Sequence, residues 1–347
     1  MCAGFFHLQG PFMASSKVHP REALFDAGET LAALPVCDHY AGVEVRMRRS
    51  LELQAELGPV FDVTLDGEDG APIGGEVEHA HLIAELVMSA LNRFGRVGAR
   101  VHPVDHPAFA QEVETLIGRA GARLAYLMVP KPRSFEQVNL ACDEVDHVIR
   151  VHGQGRRVPL HFLIETHGAL REVHEIAAHP RVESLSFGLM DFVSAHRGAI
   201  PSNAMSVKGQ FTHPLVLRAK LEIAAACHAY GKTPSHGVVT EFSDRSAIQE
   251  AAGRACRELG YTRMWSIHPN QIRPIVDAFA PTTAEVDIAI DIVTAAQAAD
   301  WAPIRHRDTL HDRASYRYFW QVLERAQRTG QPIPAEVRAA FFEPTSP

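Results

Sequence analysis

Short runs of apolar residues recur along the chain, and each is followed by a longer segment with helical character. The runs end about 33 residues apart on average, which is the length of one strand–helix unit. Eight such units predict an α/β fold of the (β/α)8 TIM barrel type. A doubly wound open sheet is the alternative, weakened because no G-x-G-x-x-G opens the first helix. The eight runs are Leu31–Cys37, Phe61–Leu65, Val97–Val101, Leu124–Val129, Leu160–Ile164, Val182–Phe187, Ser235–Val239 and Arg263–Ile267.

Local signals place several helix ends. The S-x-x-Q pattern from Ser134 to Gln137 predicts a helix N-terminus ahead of a segment that runs to His152. The segment from Asp191 to His213 has little apolar periodicity, and a loop of this length is often functional, although a surface excursion is the alternative. A left-handed residue is expected where a helix ends just before a strand. Four glycines stand at such points: Gly95, Gly121, Gly231 and Gly260.

The chain divides into three parts. The barrel is expected over residues 30–280, after an N-terminal extension of residues 1–29 and before a C-terminal helical extension of residues 281–347. Helices added to a closed barrel must bury their apolar faces on its rim or on a neighbouring subunit, so the last part is a candidate lid over a neighbour. Within it, the pattern predicts helices at Thr283–Ala299 and Arg313–Arg328, separated by a polar linker.

Composition excludes several classes of partner. The chain has 34 Lys and Arg against 41 Asp and Glu, and no basic block stands out, so nucleic acid is not expected. No run of 18 apolar residues predicts a membrane span. The five cysteines are scattered and form no C-x-x-C, which indicates a reducing, cytoplasmic setting. The first 12 residues lack a basic segment and are not interpreted as a signal peptide, and Met13 is a second candidate start.

Polar side chains stand at the carboxyl ends of six predicted strands, which converge on one mouth in a barrel. Glu165 and Asp191 follow neighbouring strands and are candidate ligands for Mg²⁺, which takes few protein oxygens and keeps places for water and substrate. Arg100 is a candidate to bind a substrate carboxylate or to stabilise a developing oxyanion. Singly, each residue also fits a cap or a loop, but their joint occurrence favours function.

At these residues the chain resembles the HpcH/HpaI aldolase and citrate lyase β-subunit family, and within it the CoA-ester lyase branch of citrate lyase β-like and malyl-CoA lyase proteins. The resemblance covers about residues 30–300. It depends on the order and spacing of six short motifs. These are Asp66–Ala71 after strand two, Arg100–His102 on strand three, Pro130–Lys131 after strand four, Ile164–Thr166 on strand five, Phe187–Asp191 after strand six and His268–Ile272 after strand eight.

The resemblance implies a Mg²⁺-dependent carbon–carbon lyase that releases a 2-oxo acid from a 2-hydroxy acid or its CoA thioester. It assigns Glu165 and Asp191 to the metal and Arg100 to the substrate, while Glu68 and Asp69 order the metal's waters and the arginine. Members commonly form trimers or hexamers in which a C-terminal segment closes over a neighbouring site. The remaining residues assigned to substrate binding are Lys131, Gly188, Leu189 and Met190.

Three stretches depart from the family pattern. The C-terminal motif that supplies an aspartate to the neighbouring site is not intact, and Asp312 or Asp308 is the candidate catalytic replacement. The early R-S-x-L-x-V-P-G, which helps to hold a nucleotide-bearing substrate, is absent, and strand seven carries His236-Gly237 in place of Asp-Gly. These departures leave a different ester or a free acid open as the substrate.

Two further functions stay open. One is an aldolase that forms a Schiff base through Lys131, which would need no metal. The other is a non-catalytic metabolite-binding protein that keeps the metal pocket and has lost the base, as the altered C-terminal segment allows.

Overall fold

Eight parallel strands form a closed barrel in the computed structural model, which describes residues 18–26, 34–153 and 155–343. Each strand pairs with the next one along the chain, and the last returns to the first. The predicted (β/α)8 barrel is therefore confirmed, and the open sheet is excluded. The strands are β1 Cys37–Ala41, β2 Phe61–Asp66, β3 Val97–Arg100, β4 Leu127–Val129, β5 Leu160–Ile164, β6 Val182–Phe187, β7 Thr233–His236 and β8 Arg263–Ser266.

Helices alternate with these strands and continue after them. A helix precedes the barrel, and a short hairpin of β9 (Ile304–His306) and β10 (Thr309–His311) interrupts the C-terminal helices. The helices are α1 Pro20–Leu24, α2 Glu44–Leu57, α3 Glu76–Met88, α4 Phe109–Ala120, α5 Phe135–Val151, α6 His167–Arg171, α7 Val173–Ala178, α8 Leu189–Ser194, α9 Pro214–Ala229, α10 Arg245–Arg257, α11 Pro269–Phe279, α12 Thr283–Ala298, α13 Arg313–Thr329 and α14 Ala335–Phe341.

The chain groups into two compact units. One consists of residues 30–281 and 325–331 and contains the barrel; the other consists of residues 1–29, 282–324 and 332–347. Outward-facing strand residues and the inner faces of the surrounding helices form the main apolar core of the barrel unit. Within the part of the chain that the structure describes, no helix is long and apolar enough to cross a bilayer.

The prediction for the first strand is wrong. Residues 31–33 of the predicted run lie outside the described residues, and β1 starts only at Cys37 and reads CDHYA. An apolar run is a poor guide here because Asp38 on β1 is buried and lies 3.2 Å from Arg263. β7 is also earlier than predicted, at Thr233–His236.

Other local predictions have mixed outcomes. Ser134 does cap α5 by accepting a hydrogen bond from Gln137 N, but the Gln137 side chain accepts from Arg133 N and does not close the box on Ser134. Gly121 is right-handed, with φ −55°, so its predicted left-handed conformation is wrong. Gly95, Gly231 and Gly260 do have positive φ. The predicted polar linker after Trp301 contains the hairpin, whose strands are too short to show periodicity.

The amino-terminal half of the barrel interior is ionic. The Arg263 guanidinium is 1% exposed, and its Nη1 lies 2.6 Å from Asp62 Oδ2 while its Nη2 lies 3.2 Å from Asp38 Oδ2. Tyr126 and Thr64 donate hydroxyl hydrogen bonds to Asp38 Oδ1 at 2.8 and 2.6 Å. Buried charges are tolerated when they are paired. Arg263 pairs with both acids here, while Arg263 Nε and Asp62 Oδ1 have no hydrogen-bond partner among the described residues.

We expect Arg263→Met to lower the free energy of unfolding by about 3–5 kcal/mol, because it leaves Asp38 and Asp62 as unpaired buried carboxylates. Urea unfolding followed by circular dichroism measures this loss. The matched control is Arg218→Met, which breaks an exposed pair with Glu222 and should change stability by less than about 1 kcal/mol. Equal losses in the two variants would contradict the role of the ionic cluster.

Candidate active site

Arg100 is fixed at the end of β3 by two carboxylates. Asp66, the last residue of β2, is its register partner, and the Arg100 Nε and Nη2 donate to the two Asp66 oxygens at 2.6 Å each. Arg100 Nη1 lies 2.9 Å from Glu68 Oε2. The guanidinium is therefore held as a rigid fork, the geometry that best recognises planar anions. The structure thus brings together two predicted site residues, Arg100 and Glu68.

Asp66 is not among the residues that the sequence analysis assigns to the site. Its carboxylate also accepts hydrogen bonds from Glu68 N at 3.0 Å and Gly70 N at 2.9 Å, so it shapes the turn that follows β2. A Cβ at Gly70 would lie 2.3 Å from Asp66 Oδ2, so this turn needs glycine there. The available signal is positional: an acid ends the strand beside the one that ends in Arg100.

Lys131 links the ends of β2, β4 and β5. Its Nζ donates to Glu68 Oε1 at 2.5 Å and to Asp69 Oδ2 at 3.0 Å, while its backbone N donates to Glu165 Oε1 at 3.1 Å. Its φ of 53° is unusual for a residue with a side chain and is typical of functional sites. Partial burial alone would lower the pKa of Lys131, but the Glu68 and Asp69 carboxylates raise it, so the amine is held as an ammonium.

Glu165 and Asp191 form a second acidic pair beside this cluster. Glu165, at the end of β5, is 3% exposed, and burial together with the charge of Asp191 raises its pKa well above the usual range. Asp191 lies in the first turn of α8, its side chain is 47% exposed, and its Oδ1 lies 4.0 Å from Lys131 Nζ. A buried carboxylate that is repelled by a second carboxylate is stabilised by a proton or a cation.

The donor set fits a hard cation with few protein ligands. Among residues 18–26, 34–153 and 155–343, no group of three or more His, Cys, Asp or Glu side chains is arranged to hold a metal ion. Two carboxylates suit Mg²⁺, which binds to few protein oxygens and keeps positions for water and substrate. Gly188 leaves space for the Glu165 carboxylate, since a Cβ at this position would lie 2.1 Å from Glu165 Oε2.

Aromatic and aliphatic side chains lie beneath the polar residues. Tyr40 stacks on Trp265 with ring centroids 4.7 Å apart, and the Arg100 guanidinium lies 5.4 Å from the Tyr40 ring centroid. These two rings, with Met128 and Leu163, form an apolar cluster separate from the main core. An apolar surface beside the charges strengthens electrostatic interactions with a bound ligand.

The other predicted site residues are placed as follows. Gly188 is the residue before α8; the Leu189 side chain is buried, whereas Met190 is 43% exposed. Asp312 Oδ1 accepts hydrogen bonds from Ala314 N and Ser315 N, so its carboxylate caps α13. The catalytic role of Asp312 stays a prediction, as does substrate binding by the residues around Gly188.

The sequence analysis also does not predict the pairing of His102, just beyond β3, with the carboxylate of Glu112. Glu112 on α4 accepts hydrogen bonds from both the backbone N and the side-chain Nδ1 of His102. His102 could be named as a motif position, but its partner is ten residues away on the next helix, and no spacing rule links the two.

The protein is a (β/α)8 barrel with a charged mouth, where an acid-clamped arginine and an ammonium lie beside the carboxylates of Glu165 and Asp191. The chain belongs to the HpcH/HpaI aldolase/citrate lyase family, whose model matches residues 61–269. The family resemblance drawn from the strand-end motifs is therefore confirmed.

Three known proteins illustrate the relationship. The chain is 30% identical over 247 residues to an L-malyl-CoA/β-methylmalyl-CoA lyase of Cereibacter sphaeroides, covering 68% of this chain and 77% of that protein. A citrate lyase of Burkholderia xenovorans LB400 is 54% identical, with a TM-score of 0.80, covering 94% of this chain and all of that one. CitE of Mycobacterium tuberculosis, solved with magnesium, acetoacetate and coenzyme A, shares the fold at 20% identity, with a TM-score of 0.63, covering 86% of this chain and all of that one.

Proposed function

We propose that this protein is a Mg²⁺-dependent carbon–carbon lyase that cleaves a 2-hydroxy acid, carried as a CoA thioester, and releases a 2-oxo acid. The observation that carries the proposal is the joint placement at one mouth of the Glu165–Asp191 pair and the acid-clamped Arg100. The relatives named as malyl-CoA and citrate lyases support this class of reaction. The alternative is a lyase of the same kind whose substrate is the free 2-hydroxy acid and not its CoA thioester.

Each residue of the mouth has a chemical task in this reaction. Glu165 and Asp191 would hold Mg²⁺, which when bound supplies Lewis-acid stabilisation of charge on the substrate oxygens. Arg100 is preorganised by Asp66 and offsets negative charge that develops as the carbon–carbon bond breaks. The departing fragment is an enolate, which an acyl thioester delocalises.

Lys131 is better suited to binding an anion than to forming a Schiff base. A Schiff base needs a neutral amine, whereas the carboxylates of Glu68 and Asp69 raise the pKa of Lys131 and keep it protonated. We therefore assign Lys131 to electrostatic support of the mouth and of the bound acid.

We further propose a cytoplasmic homotrimer or hexamer organised as an N-terminal extension (residues 1–29), a catalytic barrel (30–280) and a C-terminal extension (281–347) that closes over a neighbouring subunit's mouth. In this arrangement Asp312 would approach the neighbour's substrate. Buried thiols at Cys37, Cys142 and Cys227 are in keeping with a reducing compartment.

Cleavage of malyl-, citramalyl- and citryl-CoA, with the free acids alongside, tests the proposed function directly. With Mg²⁺ we expect release of a 2-oxo acid from at least one thioester, and after treatment with a chelator we expect that release to stop and to return when Mg²⁺ is added back. Borohydride added with a 2-oxo acid should leave the protein mass unchanged. Binding of a 2-oxo acid without turnover would instead identify a metabolite-binding protein, and a trapped adduct would identify a Schiff-base aldolase.

A further inference from the structure

His102 is held by a buried carboxylate in an orientation that leaves one ring nitrogen open. Glu112 is 3% exposed, and its two oxygens accept from His102 N at 2.9 Å and from His102 Nδ1 at 2.6 Å. The ring also stacks on His106, with centroids 4.1 Å apart and planes 18° from parallel. The Glu112 contact places the proton of the neutral ring on Nδ1, which leaves Nε2 as a proton acceptor.

The backbone directs His102 to the same side as Arg100. Val101 N donates to Met128 O at 3.1 Å, so the chain continues its extended pairing with β4 beyond Arg100. Ala99 and Val101 belong to the main core outside the barrel, and residues two apart on an extended chain share a face. This alternation puts His102 on the same face as Arg100 just past the end of β3, where the charge of Glu68 acts to raise its pKa and its side chain is 16% exposed.

Three acids of the mouth already contact other groups of the site. Glu68 binds both Arg100 and Lys131, Asp69 binds Lys131, and Glu165 accepts from the Lys131 backbone while facing Asp191. His102 Nε2, by contrast, has no hydrogen-bond partner among the residues that the structure describes. A carbon–carbon lyase needs a group that accepts and returns a proton, and the open Nε2 of His102 can do both.

We propose that His102, oriented by Glu112, is the acid–base residue of this lyase; the proposal rests on the function proposed above. In the cleavage direction, Nε2 accepts the proton of the substrate hydroxyl, and the O–H electron pair forms the carbonyl of the 2-oxo acid. The carbon–carbon electron pair passes to the thioester fragment as an enolate. The imidazolium then returns the same proton to the enolate carbon, so that no proton is gained or lost.

The charges around His102 determine how this step depends on pH. The Glu112 hydrogen bond raises the pKa of His102, partial burial opposes it, and the charges of Glu112, Glu68 on the turn after β2 and Glu76 on α3 raise it further. His106 on the same loop is the other titratable neighbour. Because the base must be neutral, cleavage should increase as pH rises through the raised pKa of His102.

The test compares His102→Gln and Glu112→Gln with wild type on the thioester that is cleaved fastest. We expect His102→Gln to lower kcat by about 100-fold or more, with Mg²⁺ and 2-oxo acid binding retained in calorimetry. Glu112→Gln should lower kcat and move the acid limb of the pH–rate profile to lower pH. For His102→Ala, added imidazole should restore part of the rate, which a purely structural residue would not allow.

His152→Gln is the matched control, since His152 at the end of α5 pairs in a similar way with Glu114 on α4, and the two side chains are 33% and 51% exposed. It should keep wild-type kcat and pH profile. If His102→Gln kept the wild-type kcat and pH–rate profile, the role of His102 would be overturned, while the proposed function would stand. Wild type that releases no 2-oxo acid from any thioester or free acid would overturn the proposed function, and the role of His102 with it.

Discussion

Replacing Arg100 by lysine is expected to lower kcat/KM by about 100- to 1000-fold even though the positive charge is kept. Nε and Nη2 of the guanidinium donate hydrogen bonds to Asp66, and Nη1 forms an ion pair with Glu68. These contacts fix the guanidinium over the Tyr40 ring. An ammonium is a point charge and cannot keep two parallel hydrogen bonds to Asp66 while also facing the substrate. Steady-state kinetics on the cleaved thioester measures the loss.

Two variants sharpen this test. Asp66→Asn keeps the shape of the clamp but removes its charge, and it should lower kcat/KM in the same direction by a smaller factor. Arg218→Lys makes the same exchange in an exposed ion pair on α9 and should leave kinetics unchanged. Wild-type turnover in Arg100→Lys would remove the arginine from the reaction.

Asp191→Ala is expected to weaken Mg²⁺ binding by at least about 100-fold while the barrel still folds. Asp191 is one of only two carboxylates proposed to hold the ion, and its loss leaves Glu165 without its partner. Calorimetry with MgCl2 measures the affinity. A second readout is the Mg²⁺-dependent rise in melting temperature, which follows from binding to the folded state and should disappear in the variant.

Gly188→Ala tests the same site without removing a carboxylate. The added Cβ would fall 2.1 Å from Glu165 Oε2, so either the carboxylate or the backbone must move, and Mg²⁺ affinity should drop. Asp143→Ala is the control for Asp191→Ala, because Asp143 is an exposed acid on α5, and it should leave Mg²⁺ affinity unchanged. Unchanged Mg²⁺ affinity in Asp191→Ala would exclude Asp191 as a ligand.

Two strands that the sequence predicts well carry apolar residues on the side that packs against the helices. β5 (LHFLI) and β6 (VESLSF) begin and end at the predicted residues, and each contributes three apolar residues to the main core. The predicted position of β1 is wrong because its inward-facing residue Asp38 is polar, and it forms an ion pair with Arg263 on β8, which is distant in sequence. Such pairing is a tertiary property, and no local window contains both partners.

The same distinction applies to the site. Single residues such as Arg100 and Glu165 could be named because strand ends converge in any barrel. The Asp66 clamp depends on the register between β2 and β3, and the Glu112 contact depends on how α4 packs beneath the loop that carries His102. Neither contact can be predicted from the spacing of residues within a single strand or helix. Of the two, the clamp is the easier to anticipate, because β2 and β3 are consecutive.

The ion cluster around Arg263 has a practical consequence for the opposite end of the barrel. Since Arg263 pairs with both Asp38 and Asp62, the amino-terminal half of the interior has its own internal cation and need not share the cation at the mouth. The cation at the mouth should therefore be exchangeable in the intact protein. Mn²⁺ favours the same oxygen donors, and as a paramagnetic reporter it would let electron spin resonance follow the arrival of an isotopically labelled acid.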